Sequence, residues 1–303
     1  MTVTVAIASV GRPDALSNAL RHVSAQLDRP DEVIVVAQRQ DVATQEAASA
    51  AGARVVVVEE PGLALAVETA IANAHSDVVS FVDDDAEALP DWVERIRDAF
   101  GSDRRLGVLG GRDNVHGDRE AGSASLVVGA LRRGRLIGNH HLGKGTRRPA
   151  HHVKGANMSV RAAPARNVAL ADLVTGEGAQ SGNEVILSLG ILSQGFTGAY
   201  DPRIQVDHFP AARAVGDERT LYTRERTRIM RYNEAVAVAL YESSGRRLAF
   251  LVRGLLVGNR ICCGLGLFVL LSFRGDSRAG ERMLGSVTGL LQGFRAARLH
   301  RRM

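Results

Sequence analysis

The apolar run VVSFV at residues 78–82 leads directly into three aspartates, Asp83, Asp84 and Asp85. Adjacent carboxylates repel one another, so a row of them behind what reads as a buried strand calls for a positive partner. A hard divalent cation fits: Mg²⁺ and Mn²⁺ take oxygen ligands and commonly keep water and substrate phosphates in their shell. The structural alternative is an acidic turn at a helix N-terminus, where Asp caps backbone N–H groups and meets the positive end of the helix dipole. One aspartate would satisfy that role, and three in a row behind a strand favour the cation. The other residues with ligating chemistry lack a metal pattern. His140-His141 and His151-His152 have no matching spacing and read as polar residues of flexible loops. Cys262 and Cys263 are neighbours, which suits disulfide geometry poorly, and no CxxC pair exists, so a reduced, cytoplasmic setting is expected.

The elements that must position the aspartates alternate. Val3 to Ala8 reads as a strand, GRPD as a turn, and Leu16, Leu20 and Val23 recur at helical spacing. DEVIVVAQ, RVVVVEEP and DVVSFVDDD read as further strands, separated by the helical stretches DVATQEAASAAGA and GLALAVETAIANAHS. Near-continuous apolar strands alternating with helices imply a mostly parallel, Rossmann-like α/β sheet with helices on both faces over about the first 110 residues. In such sheets ligands bind beyond the carboxyl ends of the strands, where both the aspartates and the GRPD turn lie. Residues 111–180 are rich in Gly, Arg and His and read as loops around a few strands. NEVILSLGILSQ then reads as a helix ended by Gly195, and AYDPRIQVDHFP as a strand. Pro90 and Trp92 read as the start of a helix and its packing anchor. No GxxxxGK[ST] loop and no GxGxxG after the first strand is present.

The 303 residues carry a formal net charge of +5, which favours acidic partners: nucleotides, phospholipid headgroups or nucleic acid. Aromatic residues make up only 4%, so the stacking platforms that grip single strands are scarce and nucleic acid is not expected. From about residue 213 the character changes to a basic helix, a strongly apolar stretch broken by Arg253, Asn259 and Arg260, and a basic tail. Its longest unbroken apolar run, Ile261 to Phe273, falls short of the roughly 20 residues a spanning helix needs. Two readings stay open: helices lying on an anionic membrane surface or a partner, or a buried core helix pair. The N-terminus starts directly with a strand-like stretch and shows no signal peptide pattern.

Several stretches, in order, resemble the family 2 glycosyltransferases, which have the GT-A fold. They are VAIASVGRPDALSNAL, PDEVIVVAQRQD, PGLALAVETAIANAHSDVVSFVDDDAEALPDW, VKGANMSVRA and NEVILSLGILSQGFTGAYDPRIQVDHFP, covering about residues 3–210. The resemblance implies transfer of a sugar from a nucleotide-diphosphate sugar to a hydroxyl of a glycan or lipid-linked acceptor, with inversion at the anomeric carbon. It makes Asp83 and Asp85 the ends of a DXD motif. Asp85 then binds Mg²⁺ or Mn²⁺, Asp83 lies by the ribose or a metal-bound water, and Asp84 supports the turn at the nucleotide-sugar site. His208 matches the histidine that completes the metal shell. Glu184 matches the general base, with glutamate where the family usually has aspartate and Asn183 where it has the preceding acid. Ser181-Gly182-Asn183-Glu184 also fits a helix capping box, and Glu177 is the second candidate base.

Ser9, Gly11, Arg12 and Pro13 are expected to line the nucleotide-sugar pocket. Ala37 and Gln38 stand where many members carry acids, with Arg39 and Asp41 nearby; the Gln38 amide suits a base edge and the Arg39 guanidinium a phosphate. Gly155, Ala156, Asn157 and Trp92 fall on the acceptor side. The histidine pairs, Arg147, Arg148 and Lys154 are candidates for touching the diphosphate. The expected division is a catalytic domain at 1–212, with the donor side in about 1–110 and the acceptor side in about 111–212, and a helical, basic and apolar region at 213–303. That region would place the protein peripherally on the inner face of the cell membrane, and a homo-oligomer is compatible with the sequence. Two other functions stay open: a nucleotidyltransferase on a related sheet, for which SVGRPDAL is a poor loop, and an inactive glycosyltransferase-like scaffold.

Overall fold

The computed structural model of the chain describes residues 1–117, 124–210 and 222–301. Its first half alternates as the hydrophobic pattern requires: β1 (Val3–Ala8), α1 (Pro13–Ser24), β2 (Glu32–Gln38), α2 (Val42–Ala50), β3 (Arg54–Val58), α3 (Leu63–Asn73) and β4 (Val78–Val82). Pro13 opens α1, where its missing N–H is no loss and its fixed φ suits the helix. Asp41 caps α2 by accepting from the Thr44 N–H at 3.2 Å, and its other oxygen accepts from the Gly11 N–H at 2.5 Å. That carboxylate therefore ties the loop after β1 to the loop after β2.

The chain continues through β5 (Ala86–Ala88), α4 (Trp92–Ser102), β6 (Leu106–Val115), the hairpin of β7 (Ala130–Arg132) and β8 (Arg135–Ile137), then β9 (Arg148–Pro149), β10 (Asn157–Arg161), α5 (Ala162–Ala165), α6 (Leu170–Leu173), α7 (Asn183–Leu192) and β11 (Thr197–His208). The main sheet runs β3-β2-β1-β4-β10-β6-β11-β5, with β9 beside β11. β3, β2, β1 and β4 are mutually parallel; β10 runs antiparallel between β4 and β6, and β11 is parallel to β6. Strand side chains alternate between two cores. Val3, Val5 and Ile7 of β1 meet α1, α2 and α4 on one face; Ala6, with Ile34 and Val36 of β2, meets α3, α5, α6 and α7 on the other.

The glycine-rich stretch at 110–114, expected to be a loop, is instead the middle and end of the ten-residue strand β6. Its glycines mark close approach rather than turning. A Cβ at Gly110 would collide with Val153, and one at Gly111 with the Asn157 amide and the Ile204 carbonyl.

Four helices follow: α8 (Arg224–Tyr241), α9 (Ser244–Leu256), α10 (Leu265–Phe273) and α11 (Ala279–His300). The buried-core reading holds for two of them, α8 and α11. α8 and α11 form a tight pair, and Ala235 to Val238 of α8 and Leu290 of α11 join the core that α7 closes. Gly285, Gly289 and Gly293 of α11 recur every four residues, and each lies against the backbone of α8. α10, by contrast, buries none of its residues. Among the described residues no helix is long and apolar enough to cross a membrane.

Candidate active site

β4 delivers the three aspartates to one end of the sheet, and the turn assigns them different surroundings. Asp84 is only 1% exposed. Its Oδ2 accepts from the Ser9 hydroxyl at 2.7 Å, and its Oδ1 pairs with the Arg12 guanidinium at 2.8 Å. Burial pushes its pKa up to about 6; Ser9 and Arg12 pull it back, while Asp85 and Asp83 add to the rise. Asp84 is thus an internal tether between β4 and the loop after β1.

Asp83 and Asp85 point elsewhere. β5 follows the turn immediately and pairs antiparallel with the end of β11, which sets His208 opposite Ala86. The Phe209 N–H donates to the Asp85 carbonyl at 2.9 Å, extending that ladder. The pairing carries the His208 imidazole to the aspartates: Nε2 lies 3.2 Å from Asp85 Oδ1. One ligand atom each of Asp83, Asp85 and His208 falls within 4.8 Å of the others.

Asp113, on β6, completes the arrangement and was not anticipated. β11 and β6 run parallel with His208 beside Val115, so Asp113, two residues earlier, shares its face of the sheet. Its Oδ2 lies 3.9 Å from His208 Nδ1 and is ion-paired to Lys154. Burial opposes the charge on both groups, but the pairing prevails. The Asp113 carboxyl is held at about 2 by His208 and Lys154, and the His208 imidazole is raised to about 9 by Asp113 and Asp85. The only sequence signal for Asp113 is a carboxylate at the end of a strand, and the flanking glycines disguised that strand.

Two carboxylates and an imidazole are an oxygen-and-nitrogen donor set that suits Mn²⁺ or Mg²⁺. Burial raises the Asp83 carboxyl, and the charge of Asp85 raises it further, so the pair is short of positive charge despite His208, Lys154 and Arg12. The buried His208 Nδ1 has no hydrogen-bond partner, and the Asp113 carboxylate at 3.9 Å is placed to orient the ring. The cluster fits a divalent cation.

Beside it lies a cavity of about 1160 Å³. Asp83 lines it from the turn after β4, Lys154, Gly155 and Ala156 from the loop before β10, Glu177, Gln180 and Glu184 from α7 and the loop before it, and Arg226, Ile229 and Met230 from α8. Glu184 stands in the first turn of α7. Burial raises its pKa, and the charge of Asp83 adds to the rise; its own backbone N–H, Lys154 and the Gly182 N–H oppose it. The N-cap of α7 is Gly182, with φ 97°, so the Ser181 hydroxyl does not close the capping box that the sequence allows. Gln180 secures this loop by accepting from the Ala64 N–H of α3 at 2.8 Å. Glu177 is exposed on the cavity rim.

The sequence matches the glycosyl transferase family 2 profile over residues 4–162, more than half of the chain. The chain belongs to glycosyl transferase family 2. Solved structures share the fold of this glycosyltransferase. A mycobacterial protein matches with a TM-score of 0.52 at 17% identity, over 80% of this chain and 76% of that one. S. aureus TarS matches with a TM-score of 0.56 at 14% identity, over 84% and 42%. GalNAc-T7, solved with UDP, GalNAc and Mn²⁺, matches with a TM-score of 0.61 at 14% identity, over 95% and 57%. The regions matched are therefore well under two thirds of TarS and GalNAc-T7. No curated protein matches the sequence. The sheet with its C-terminal helices is a GT-A-type arrangement.

The remaining expected residues of the glycosyltransferase divide. Ser9 and Arg12 hold Asp84, and Arg12 also reaches Asp85 at 3.3 Å. Gly11, with φ 65°, is latched by Asp41, and Pro13 starts α1. Gln38 ends β2 and accepts from Gln40 at 2.9 Å. Arg39 is an exposed surface residue in a forked pair with Glu59.

On the expected acceptor side, Gly155 and Ala156 do line the cavity, but Asn157 and Trp92 require correction. Trp92 is 0% exposed and Asn157 3%. The indole N–H donates to Asn157 Oδ1 at 2.9 Å, and the Asn157 amide donates to the Arg112 and Ile204 carbonyls. All of this hydrogen-bonding capacity is consumed inside the protein, joining α4, β10, β6 and β11. Of the groups considered for the diphosphate, only Lys154 reaches the cavity. His140 and His152 are not flexible-loop residues: both are buried, ring against ring, and His140 also meets the Tyr200 ring. Arg147 pairs with Asp103 at 3.8 Å, and Arg148 donates to the Leu126 carbonyl at 2.9 Å.

Proposed function

We propose that this glycosyltransferase moves a sugar from a nucleoside-diphosphate sugar to an acceptor hydroxyl of a glycan or lipid-linked molecule, with inversion. The observation that supports this reading most is that Asp83, a member of the Asp83–Asp85–His208 cluster, and Glu184 line the same cavity. A donor diphosphate at the cluster would direct its sugar into the cavity, leaving Glu184 to meet an acceptor from the other side.

Glu184 takes the proton of the acceptor hydroxyl as its oxygen bonds to the anomeric carbon. The bond from that carbon to the diphosphate oxygen breaks, and its electron pair leaves with the nucleoside diphosphate. Burial raises the Glu184 pKa, which makes it a better proton acceptor than an exposed glutamate. Asp83, Asp85 and His208 would hold Mn²⁺ or Mg²⁺, and the bound cation would offset the charge developing on the leaving diphosphate. Asp113 orients His208 and holds Lys154 at the cavity wall. UDP and Mn²⁺, the ligands of the similar GalNAc-T7 structure, are the first to test. The catalytic unit is assigned to 1–212 and the helical region to 213–303, although α8 supplies part of the cavity wall.

The test is a thermal-shift screen of sugar nucleotides with and without Mn²⁺, followed by release of nucleoside diphosphate. A donor that stabilises the protein only with the cation supports the proposal. No stabilisation and no release across the panel would overturn it.

A further inference from the structure

α9 and α10 form a surface unlike the rest of the molecule. Leu248, Val252 and Leu256 recur every four residues along α9 and are 61%, 44% and 56% exposed. Leu265, Val269 and Phe273 do the same along α10, at 55%, 42% and 87%. A helix normally turns such a stripe to the core. Here the two helices adjoin through a short link pinned by the Gly258–Cys263 bridge, and both stripes remain uncovered.

Along α9, the link and α10 the charges have one sign. Between Glu242 and Asp276 every charged residue is an arginine: Arg246, Arg247, Arg253, Arg260 and Arg274. Arg246 pairs back to Glu242, but among the described residues no carboxylate pairs with Arg253, Arg260 or Arg274. A second copy of the chain meeting this face through its own would bring arginine against arginine. An anionic lipid surface offers both complements, acyl chains for the stripes and phosphate for the guanidinium groups. The nine residues of α10 would extend about 13 Å, far short of the roughly 30 Å hydrocarbon core, so the helix would lie in the interface without crossing it.

We propose that the face built by α9 and α10 docks the enzyme on an anionic phospholipid bilayer. Ile261, in the link between the two helices, lines the catalytic cavity, so docking holds that cavity close to the bilayer surface. Docking does not depend on the cation or on Glu184, and it is measured without donor or turnover.

The test is sedimentation of the full chain with vesicles of phosphatidylcholine alone or mixed with phosphatidylglycerol. The mixed vesicles should pellet the protein, high salt should reduce the effect, and phosphatidylcholine alone should bind it weakly. Val269→Glu with Phe273→Glu, and separately Arg260→Glu with Arg274→Glu, should each weaken binding at least about ten-fold. All four side chains are exposed, so the thermal midpoint should hold. Absence of binding to mixed vesicles, equal binding to both, or binding indifferent to both double variants would overturn the proposal. So would a concentration-dependent dimer abolished by Val269→Glu with Phe273→Glu, since the face would then be an interface between copies.

Discussion

His208 Nε2 lies 3.2 Å from Asp85 Oδ1, although 123 positions separate the two residues, and a three-rung antiparallel ladder makes the contact. β11 ends where β5 begins, so the last residue of one strand meets the turn before the other. On the far side of the ring, Asp113 faces Nδ1. The imidazole lies between a candidate ligand and a buried carboxylate placed to orient it.

Asp113→Asn should therefore weaken Mn²⁺ binding by about ten-fold or more without removing a ligand, as loss of an orienting carboxylate does elsewhere. Titration of free Mn²⁺ by electron paramagnetic resonance measures this directly. Unchanged affinity would assign Asp113 to holding Lys154 alone.

Glu184→Gln keeps the shape of the cavity wall and removes the proton acceptor. Turnover should fall by about 10²–10⁴ while the donor dissociation constant stays within a few-fold. Glu177→Gln, on the exposed rim, should leave turnover nearly unchanged. The reverse pattern would move the base to Glu177.

Gly289→Ala replaces a poor helix former with the best one, and propensity alone predicts a gain of about 1 kcal/mol. The added methyl would meet the Arg228 carbonyl and the neighbouring α8 backbone. The expected outcome is a net loss of about 1–3 kcal/mol in denaturant unfolding. At Gly280 the nearest atom to an added Cβ is 3.8 Å away, so Gly280→Ala should cost nothing.

Burial lowers the pKa of His140 to about 4 and of His152 to about 3, from 6.5. Their folded values lie below the unfolded one, so the unfolded chain takes up protons first as pH falls. Their contribution is fully present above about 6.5 and is lost progressively toward about 4, at up to about 1.4 kcal/mol per pH unit for each ring. His208, raised to about 9, behaves oppositely in a separate window: its contribution is complete below about 6.5 and is lost as pH rises through 9. Urea unfolding across the acid range should show the fall, and His140→Gln should flatten it. A slope untouched by that substitution would point to other groups.

The sequence by itself determined the alternation of β1 to β4 with their helices, because each apolar run is long enough for one strand and each turn residue sits where the chain must reverse. It also located Asp83 to Asp85, since a carboxylate cluster at a strand end needs no partner from elsewhere to be noticed. Only the tertiary structure decided what Asp84 binds, because Ser9 and Arg12 come from another loop. Only it brought Asp113 to His208, since sheet order, not spacing, makes β6 and β11 neighbours. Trp92 and Asn157 looked available for an acceptor until the packing of α4 against β10 consumed their hydrogen bonds. In the C-terminal third, hydrophobicity could not separate core from surface. The close glycine seam between α8 and α11 joins that pair, which packs against α7, and the apolar α10 stays outside.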